Sequence, residues 1–516
     1  MLDALRSFKD SWDIVVTGGG ATGLGIAVDA TSRGYKTLLL EQNDFGKCTS
    51  SRSTKLVHGG VRYLRQGNIM LVYEGLKERG LMIQNAPHLV RNQKFIIPVY
   101  SWWAGPVYTL GLKLYDLLAG KLGFGVSRWI SKQTAIQAMP TLNKNGLRGG
   151  ILYHDGQFDD SRMLISLVNT CSDYGGTVLN YMKVNNLIKE KGIITGLEIY
   201  DQEENKEYTI RAKAVINATG VFTDEIIQLD EPGGKKMIRP SQGIHIVLDE
   251  QFLKSHYALM VPRTSDGRVM FAVPWYNRVV VGTTDTLVEQ ISLEPRALED
   301  EIRFILDTTG QYLDKRPSIQ DILSIFAGLR PLIASNGEGK STKDISRIHK
   351  ITVSPSGLIT VVGGKWTSYR KMAEDAVNIA IKTRHLPEKS CVTSGLHIHG
   401  YVIHTDTEYY PAHAYGSMLS EVENLENESE EYSGFLSEKL KIKKSHIIWA
   451  AREEMARTVE DALARRTRAL FLDARESILI APETARLMAK ELRYGEEWIS
   501  EQTRLYMELA KGYVMS

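Results

Sequence analysis

Asp13-Ile14-Val15-Val16-Thr17-Gly18-Gly19-Gly20-Ala21-Thr22-Gly23-Leu24-Gly25 is the stretch whose reading organises the rest of the chain. Mostly β-branched residues run into glycines spaced G-x-G-x-x-G at Gly18, Gly20 and Gly23, with Thr22 inside the motif. Ile26, Ala27, Val28 and Ala30 then open a helix that stops near Arg33-Gly34. A second apolar run, Thr37-Leu38-Leu39-Leu40, ends on Glu41. This is the order of a dinucleotide-binding βαβ unit. Gly18 permits the tight turn, Gly20 lets backbone approach a pyrophosphate, and Gly23 lets helix and strand pack closely. The helix N-terminus offers free N–H groups and a positive dipole end to the phosphates. Glu41, about twenty residues on, is placed to accept hydrogen bonds from a ribose diol. The motif alone does not separate NAD from FAD; its position ahead of so much further chain leans towards FAD.

Working outward, 516 residues exceed one ordinary core and predict two or three domains. A composition of 43% hydrophobic and 24% charged residues is that of a globular protein, and a net charge of +2 gives no argument for nucleic-acid binding. Cys48, Cys171 and Cys391 are scattered and odd in number. They suggest neither a disulfide framework nor a metal site, and they fit a reducing cytoplasm. Met1 to Asp10 lacks the apolar region of a signal peptide, and no apolar run reaches the roughly 18 residues of a spanning helix. A cytoplasmic chain that does not cross a bilayer is therefore expected.

The next segment, Cys48-Thr49-Ser50-Ser51-Arg52-Ser53-Thr54-Lys55-Leu56-Val57-His58-Gly59-Gly60-Val61-Arg62-Tyr63-Leu64, is hydroxyl-rich, then basic, then glycine-rich. Hydroxyls such as those of Thr49 and Ser50, following the second strand, can bond phosphate and ribose oxygens, and Gly59-Gly60 lets backbone pass close to a flat ring. A capped helix start followed by a turn is the alternative.

Taken together, GGGATGLGIAVDA, LLLEQNDFGKCTSSRSTKLVHGGVRYL, AGLRPL and VVGGKWTSYRKMAEDA closely resemble the FAD-dependent glycerol-3-phosphate dehydrogenases, relatives of D-amino-acid oxidase. The resemblance runs from about residue 12 to about 385 and resumes near the C-terminus. It implies an α/β, two-domain FAD-binding fold of the Rossmann-like, glutathione-reductase type. An antiparallel-sheet substrate cap and a helical C-terminal domain complete it. By the same resemblance Ser53, Lys55, Leu56 and His58 line FAD, while Arg62 and Tyr63 contact the ligand.

Further blocks follow in chain order. From Phe95 to Ile130 the chain is aromatic and apolar, with Trp102, Trp103, Tyr108, Leu110, Leu114 and Leu117 interrupted by Lys113, Asp116, Lys121 and Arg128. That composition fits either a helix pair buried under the substrate pocket or a helix lying at a lipid headgroup boundary. Asp155 to Arg162 precedes an apolar helix with Asp160 or Ser161 as N-cap. Ala214-Val215-Ile216-Asn217-Ala218-Thr219-Gly220 reads as a buried strand ending in small residues, where backbone can run against a cofactor. The resemblance puts Ala218, Thr219, Gly220 and the Val184 backbone on the adenosine side.

Residues 231–340 alternate as cap strands. The family's histidine facing the flavin corresponds to His245; a core histidine is the bland alternative. Gly282-Thr283-Thr284-Asp285 resembles a structural turn. Arg330, between Leu329 and Pro331, is costly to bury without an anion. Arg347 resembles a second family arginine near substrate. Leu358 to Val362 runs through Gly363-Gly364-Lys365 into a helix. In the family this N-terminus, with Gly364, Lys365 and Thr367, points at the flavin N1 and C2=O, where dipole and charge favour a reduced ring. The Arg457–Thr467 stretch matches the family's C-terminal domain, its arginines read as salt-bridged helix faces.

These readings divide the chain into an FAD-binding domain (1–90, 177–230 and 341–386), a substrate cap (91–176 and 231–340) and a C-terminal, mainly helical domain (387–516). The expected reaction oxidises sn-glycerol 3-phosphate to dihydroxyacetone phosphate. His245 is the first choice of base and His58 the second. Arg330, Arg62, Arg347 and Lys365 hold the phosphate. The resemblance implies electrons leaving to a quinone, with the protein peripheral on the cytoplasmic membrane. A homodimer is compatible with the sequence, which also leaves open an oxygen-using oxidase or another amine or amino-acid oxidoreductase.

Overall fold

A computed structural model describes residues 11–102, 104–334, 348–403 and 412–515, apart from the side chains of Arg62, Arg65, Gln66 and Ala104. The opening strand β1 (Trp12–Thr17) lies inside an eight-stranded sheet, parallel to β2 (Thr37–Leu40) on one side and to Lys206–Asn217 on the other. Leu358–Val362 and Thr177–Leu179 extend the parallel order, and Lys350–Val353 adds an antiparallel edge. β1 and β2 are apolar almost throughout because both faces of a parallel sheet are covered. On one face sit helix α1 (Ala21–Ser32) and the helices Asp160–Asp173 and Tyr369–Arg384. On the other sit Thr223–Asp230 and the antiparallel ribbon of Met182–Glu190 with Ile193–Asp201.

A second, ten-stranded sheet forms the cap. It is mixed: nearly all its pairings are antiparallel, but Ala258–Val261 runs parallel to Val90–Val99. The expected antiparallel cap is corrected to that extent. Two segments also fall on the other side of the expected domain division. Leu56–Val57 pairs with Gly149–Phe158 in the cap sheet. The Asp160–Asp173 helix packs on α1 because Met163, Leu164, Leu167 and Val168 belong to the flavin-sheet core. That helix is capped by Asp159, whose carboxylate accepts from the Ser161 and Arg162 N–H groups. The expected caps, Asp160 and Ser161, are one and two positions too late. The Asp160 carboxylate is instead held by Lys55, Ser53 and Arg468.

The C-terminal helices Lys444–Arg452, Ala474–Leu492 and Glu496–Lys511 share one core, which also takes in Val247, Trp275, Val280 and Phe326 from the cap. The arginines expected on salt-bridged helix faces are paired, and they are buried as well. Arg466 forks onto Asp44 at 2.7 and 2.8 Å, Arg465 also reaches Asp44, and Arg162 forks onto Glu454 at 2.7 Å. Burial would raise the Asp44 carboxyl, but Arg466 and Arg465 outweigh it and hold it at about 2. Removing one partner of such a pair leaves a buried charge alone, so these contacts tie the third domain to the loops bordering the site.

Candidate active site

The turn after β1 explains its glycines. Gly18 has φ +106°, and a Cβ there would stand 2.7 Å from the Ala218 carbonyl oxygen. A Cβ on Gly23 would stand 1.8 Å from the Gly18 carbonyl oxygen, so no other residue fits. The Gly18 N–H donates to Leu40 and the Ala218 N–H to Thr17, so two motifs about two hundred residues apart in sequence form one floor.

Above it lies a cavity of about 410 Å³ lined by Gly18, Gly20, Thr22, Glu41, Thr49, Ser50, Val184, Ala218, Thr219, Gly220, Gly364 and Lys365. The α1 N-terminus opens into it with no acidic residue in the first turn, and only the Ala21 N–H is taken, by Ser50 Oγ at 3.0 Å. A positive helix end with no acidic residue in its own first turn fits a pyrophosphate. Glu41 lines the cavity, but its oxygens already accept from the Gly19 N–H at 2.6 Å and the Asn43 N–H at 2.8 Å. It fastens the glycine turn to β2 while lining the cavity. Burial raises its pKa, the two backbone donors opposing.

The cavity continues into a second of about 230 Å³, lined by Ser53, Thr54, Leu56, His58, His245, Arg330, Gly364, Lys365 and Thr367. The glycines Gly363 (φ +75°) and Gly364 (φ +79°) turn the chain from Leu358–Val362 into its helix, with Lys365 and Trp366 facing both cavities. Trp366 Nε1–H donates to the Ser50 carbonyl at 2.9 Å, and the His58 N–H to Thr367 Oγ1 at 3.2 Å. His245 is buried, stacked on Phe326 with centroids 5.0 Å apart, and its Nε2 is 2.9 Å from Thr54 Oγ1. Its Nδ1 has no hydrogen-bond partner. Burial, with Lys55 and Arg330 adding, holds the imidazole well below its ordinary pKa. It is a neutral base at pH 7.

A third cavity of about 190 Å³ adjoins the second through Thr54, Leu56, His58, Phe271 and Arg330, and adds Tyr63, Asp285 and Arg268. Lys365 Nζ stands 4.0 Å from the Tyr63 ring centroid. Arg330 donates to the Gln242 and Thr284 carbonyls and to Thr283 Oγ1, with Asp285 at 3.4 Å.

The structure thus gathers nearly every residue that the sequence singles out. Lys55 is the exception: its backbone sits in the loop, but its Nζ turns away to Asp160 at 2.6 Å among the Trp275, Phe326 and Phe471 rings, and the residue lines none of these three cavities. Ser53 borders the second cavity while its hydroxyl donates to Asp160. The Arg62 side chain and all of Arg347 lie outside the described residues. Thr54, Trp366 and Arg268 escape the sequence reading. Thr54 differs in no visible way from neighbouring hydroxyls, and Arg268 follows a plain turn.

The glycine floor, the helix with no acidic residue in its first turn and the double-glycine turn fit FAD. A family model described as FAD dependent oxidoreductase matches residues 13–370, and one for the C-terminal domain of alpha-glycerophosphate oxidase matches 358–499. The chain is 37% identical to the mitochondrial glycerol-3-phosphate dehydrogenase of Homo sapiens, covering 97% of this chain and 74% of the relative. With that of Arabidopsis thaliana it shares 38%, covering 98% and 86%. The glycerol-3-phosphate dehydrogenase of Bacillus halodurans, solved with FAD, superposes with a TM-score of 0.79 at 28% identity, covering 98% of this chain and 96% of that one. This chain belongs to the FAD-dependent glycerol-3-phosphate dehydrogenases, within the FAD-dependent oxidoreductase family.

Proposed function

We propose that this protein oxidises sn-glycerol 3-phosphate to dihydroxyacetone phosphate and passes the electrons to a quinone. It does so peripherally on the cytoplasmic face of a membrane. The observation that carries the reading is the run of cavities from the glycine floor, past His245 and Lys365, to a pocket lined by Arg330 and Arg268. Bound FAD, held by the Gly18–Gly23 turn and the Gly363–Thr367 turn, supplies the hydride acceptor. Lys365 and the helix end behind it favour negative charge next to them. His245 is the base: its Nε2 stands 2.9 Å from Thr54 Oγ1 on the cavity wall, and the neutral ring takes the C2 hydroxyl proton. His58, which lines the same two cavities, is the second choice. Arg330, Arg62, Arg347 and Lys365 supply positive charge for the phosphate, orienting C2.

The membrane part of the reading rests on the helices Ile69–Asn85 and Ala104–Ala119. Val72, Leu76, Leu112 and Tyr115 pack inward with residues lining the third cavity. Outward, Ile69, Met70, Tyr73, Val107, Leu110 and Leu117 are exposed, the last two at 75% and 77%. Lys113, Lys121 and Arg128 are exposed beside them, a composition suited to an anionic lipid surface.

Turnover of glycerol 3-phosphate with a short-chain quinone, assayed beside peroxide production in air, tests the acceptor. Quinone-dependent product with little peroxide is expected. Peroxide equimolar with product would replace the reading by an oxidase, the class to which the Mycoplasma pneumoniae glycerophosphate oxidase of similar fold belongs (TM-score 0.57).

A further inference from the structure

The two guanidinium groups lining the third cavity are not equivalent. Arg330 spends its Nη hydrogens on four protein acceptors, three of which are neutral. A forked contact to a phosphate would require it to give several of them up. Arg268 is arranged differently. It ends the turn between Ala258–Val261 and Met270–Trp275, where its carbonyl accepts from the Thr264 N–H at 2.8 Å and its N–H donates to Thr264 Oγ1 at 3.0 Å. Its Nε and Nη2 are paired with Asp266, which lines none of the three cavities, and Phe304 packs against the guanidinium with its centroid 5.6 Å away. Nη1 is buried and has no hydrogen-bond partner, on a residue that does line the cavity. An arginine anchored along one edge by a carboxylate, with a second edge unused, is a preorganised donor to a tetrahedral oxyanion.

The carboxylates that share the cavity do not oppose this. Asp155 is neutralised by Arg79 at 2.8 Å and accepts from the Tyr115 hydroxyl at 2.9 Å, and Asp285 is engaged by Ser241 and Arg330. The remaining wall, with Phe95, Tyr153, Met260 and Phe271, is apolar, which raises the worth of each charge there.

Resting on the phospho-substrate reading above, we propose that Arg268 is a principal phosphate-binding residue. Its Nη1 edge grips the substrate phosphate, while Arg330 holds the Gln242–Asp285 wall in shape and adds field. Asp266 and Thr264 position Arg268 and touch no substrate.

Steady-state kinetics of R268M and R268K on FAD-loaded protein test this, beside calorimetric titration of the same preparations with inorganic phosphate. R268M is expected to raise KM for glycerol 3-phosphate roughly 10- to 100-fold and weaken phosphate binding in parallel, because a contact to a charged group is lost. Its kcat should stay within about threefold. R268K, which keeps the charge but not the fork, should raise KM roughly three- to tenfold. Should R268M fail to fold, R268K at normal flavin content carries the test. Unchanged KM and phosphate affinity in the variants overturn the proposal, as does a loss confined to kcat. If the wild type does not oxidise glycerol 3-phosphate at all, the functional reading fails. The phosphate titration would still decide whether Arg268 grips an oxyanion.

Discussion

At the scale of single residues, His245 joins burial, a stacked ring, one partnered nitrogen and one without a partner. Its pKa is held well below the ordinary 6.5 by burial first and then by Lys55 and Arg330, so the basic form persists as pH falls. The acid limb of kcat/KM should therefore lie below pH 6.5, and H245N should lose about 10²- to 10⁴-fold in kcat with flavin retained. A near-normal kcat in H245N would transfer the role to His58. Gly23 is a residue of another kind: its substitution by Ala drives a Cβ into the Gly18 carbonyl oxygen. G23A should be isolated largely without flavin, as read from the ratio of visible to ultraviolet absorbance. These glycines were legible in sequence because their spacing is the geometry. The direction of the Lys55 side chain was not. The family resemblance puts Lys55 against FAD. Only the fold brings up Asp160, about a hundred residues away, whose buried carboxylate draws Lys55 inward.

At the scale of elements, Ala104–Ala119 shows why pattern alone left two readings open. A helix with apolar residues on both sides is either buried all round or has one side waiting for something. The structure buries Leu112 and Tyr115 and exposes Val107, Leu110 and Leu117, so each reading captures one face. L110S/L117S should remove the protein from anionic liposomes in a pelleting assay while leaving activity with a soluble dye intact. Undiminished pelleting would move the docking surface elsewhere. The Asp160 helix start carries a stability consequence. D160N leaves Lys55 and Arg468 buried beside a neutral amide, and should cost about 3–5 kcal/mol, measured by denaturant unfolding.

For the whole molecule, the C-terminal domain is bound to the flavin domain by charges that would be costly if unpaired: Asp44 with Arg465 and Arg466, Asp160 with Lys55 and Arg468, and Arg162 with Glu454. The sequence offered the residues but not the pairings, because partners between 105 and 422 positions apart leave no local pattern. Buried neutral histidines set the acid response. Burial lowers His88 to about 4 and His446 to about 3, and lowers His245 as well. An unfolded chain takes up protons at these histidines near 6.5 while the native one does not, so stability is full above that pH and falls as pH drops below it. At pH 5 each of His88 and His446 should have withdrawn about 2 kcal/mol, visible as a falling melting temperature. The central claim is tested most directly by the anaerobic visible spectrum of the purified protein before and after adding glycerol 3-phosphate. The account predicts an oxidised-flavin band that bleaches on addition. A flavin band that stays unchanged would contradict the assigned substrate, and the lack of any flavin band after loading with FAD would contradict the site itself.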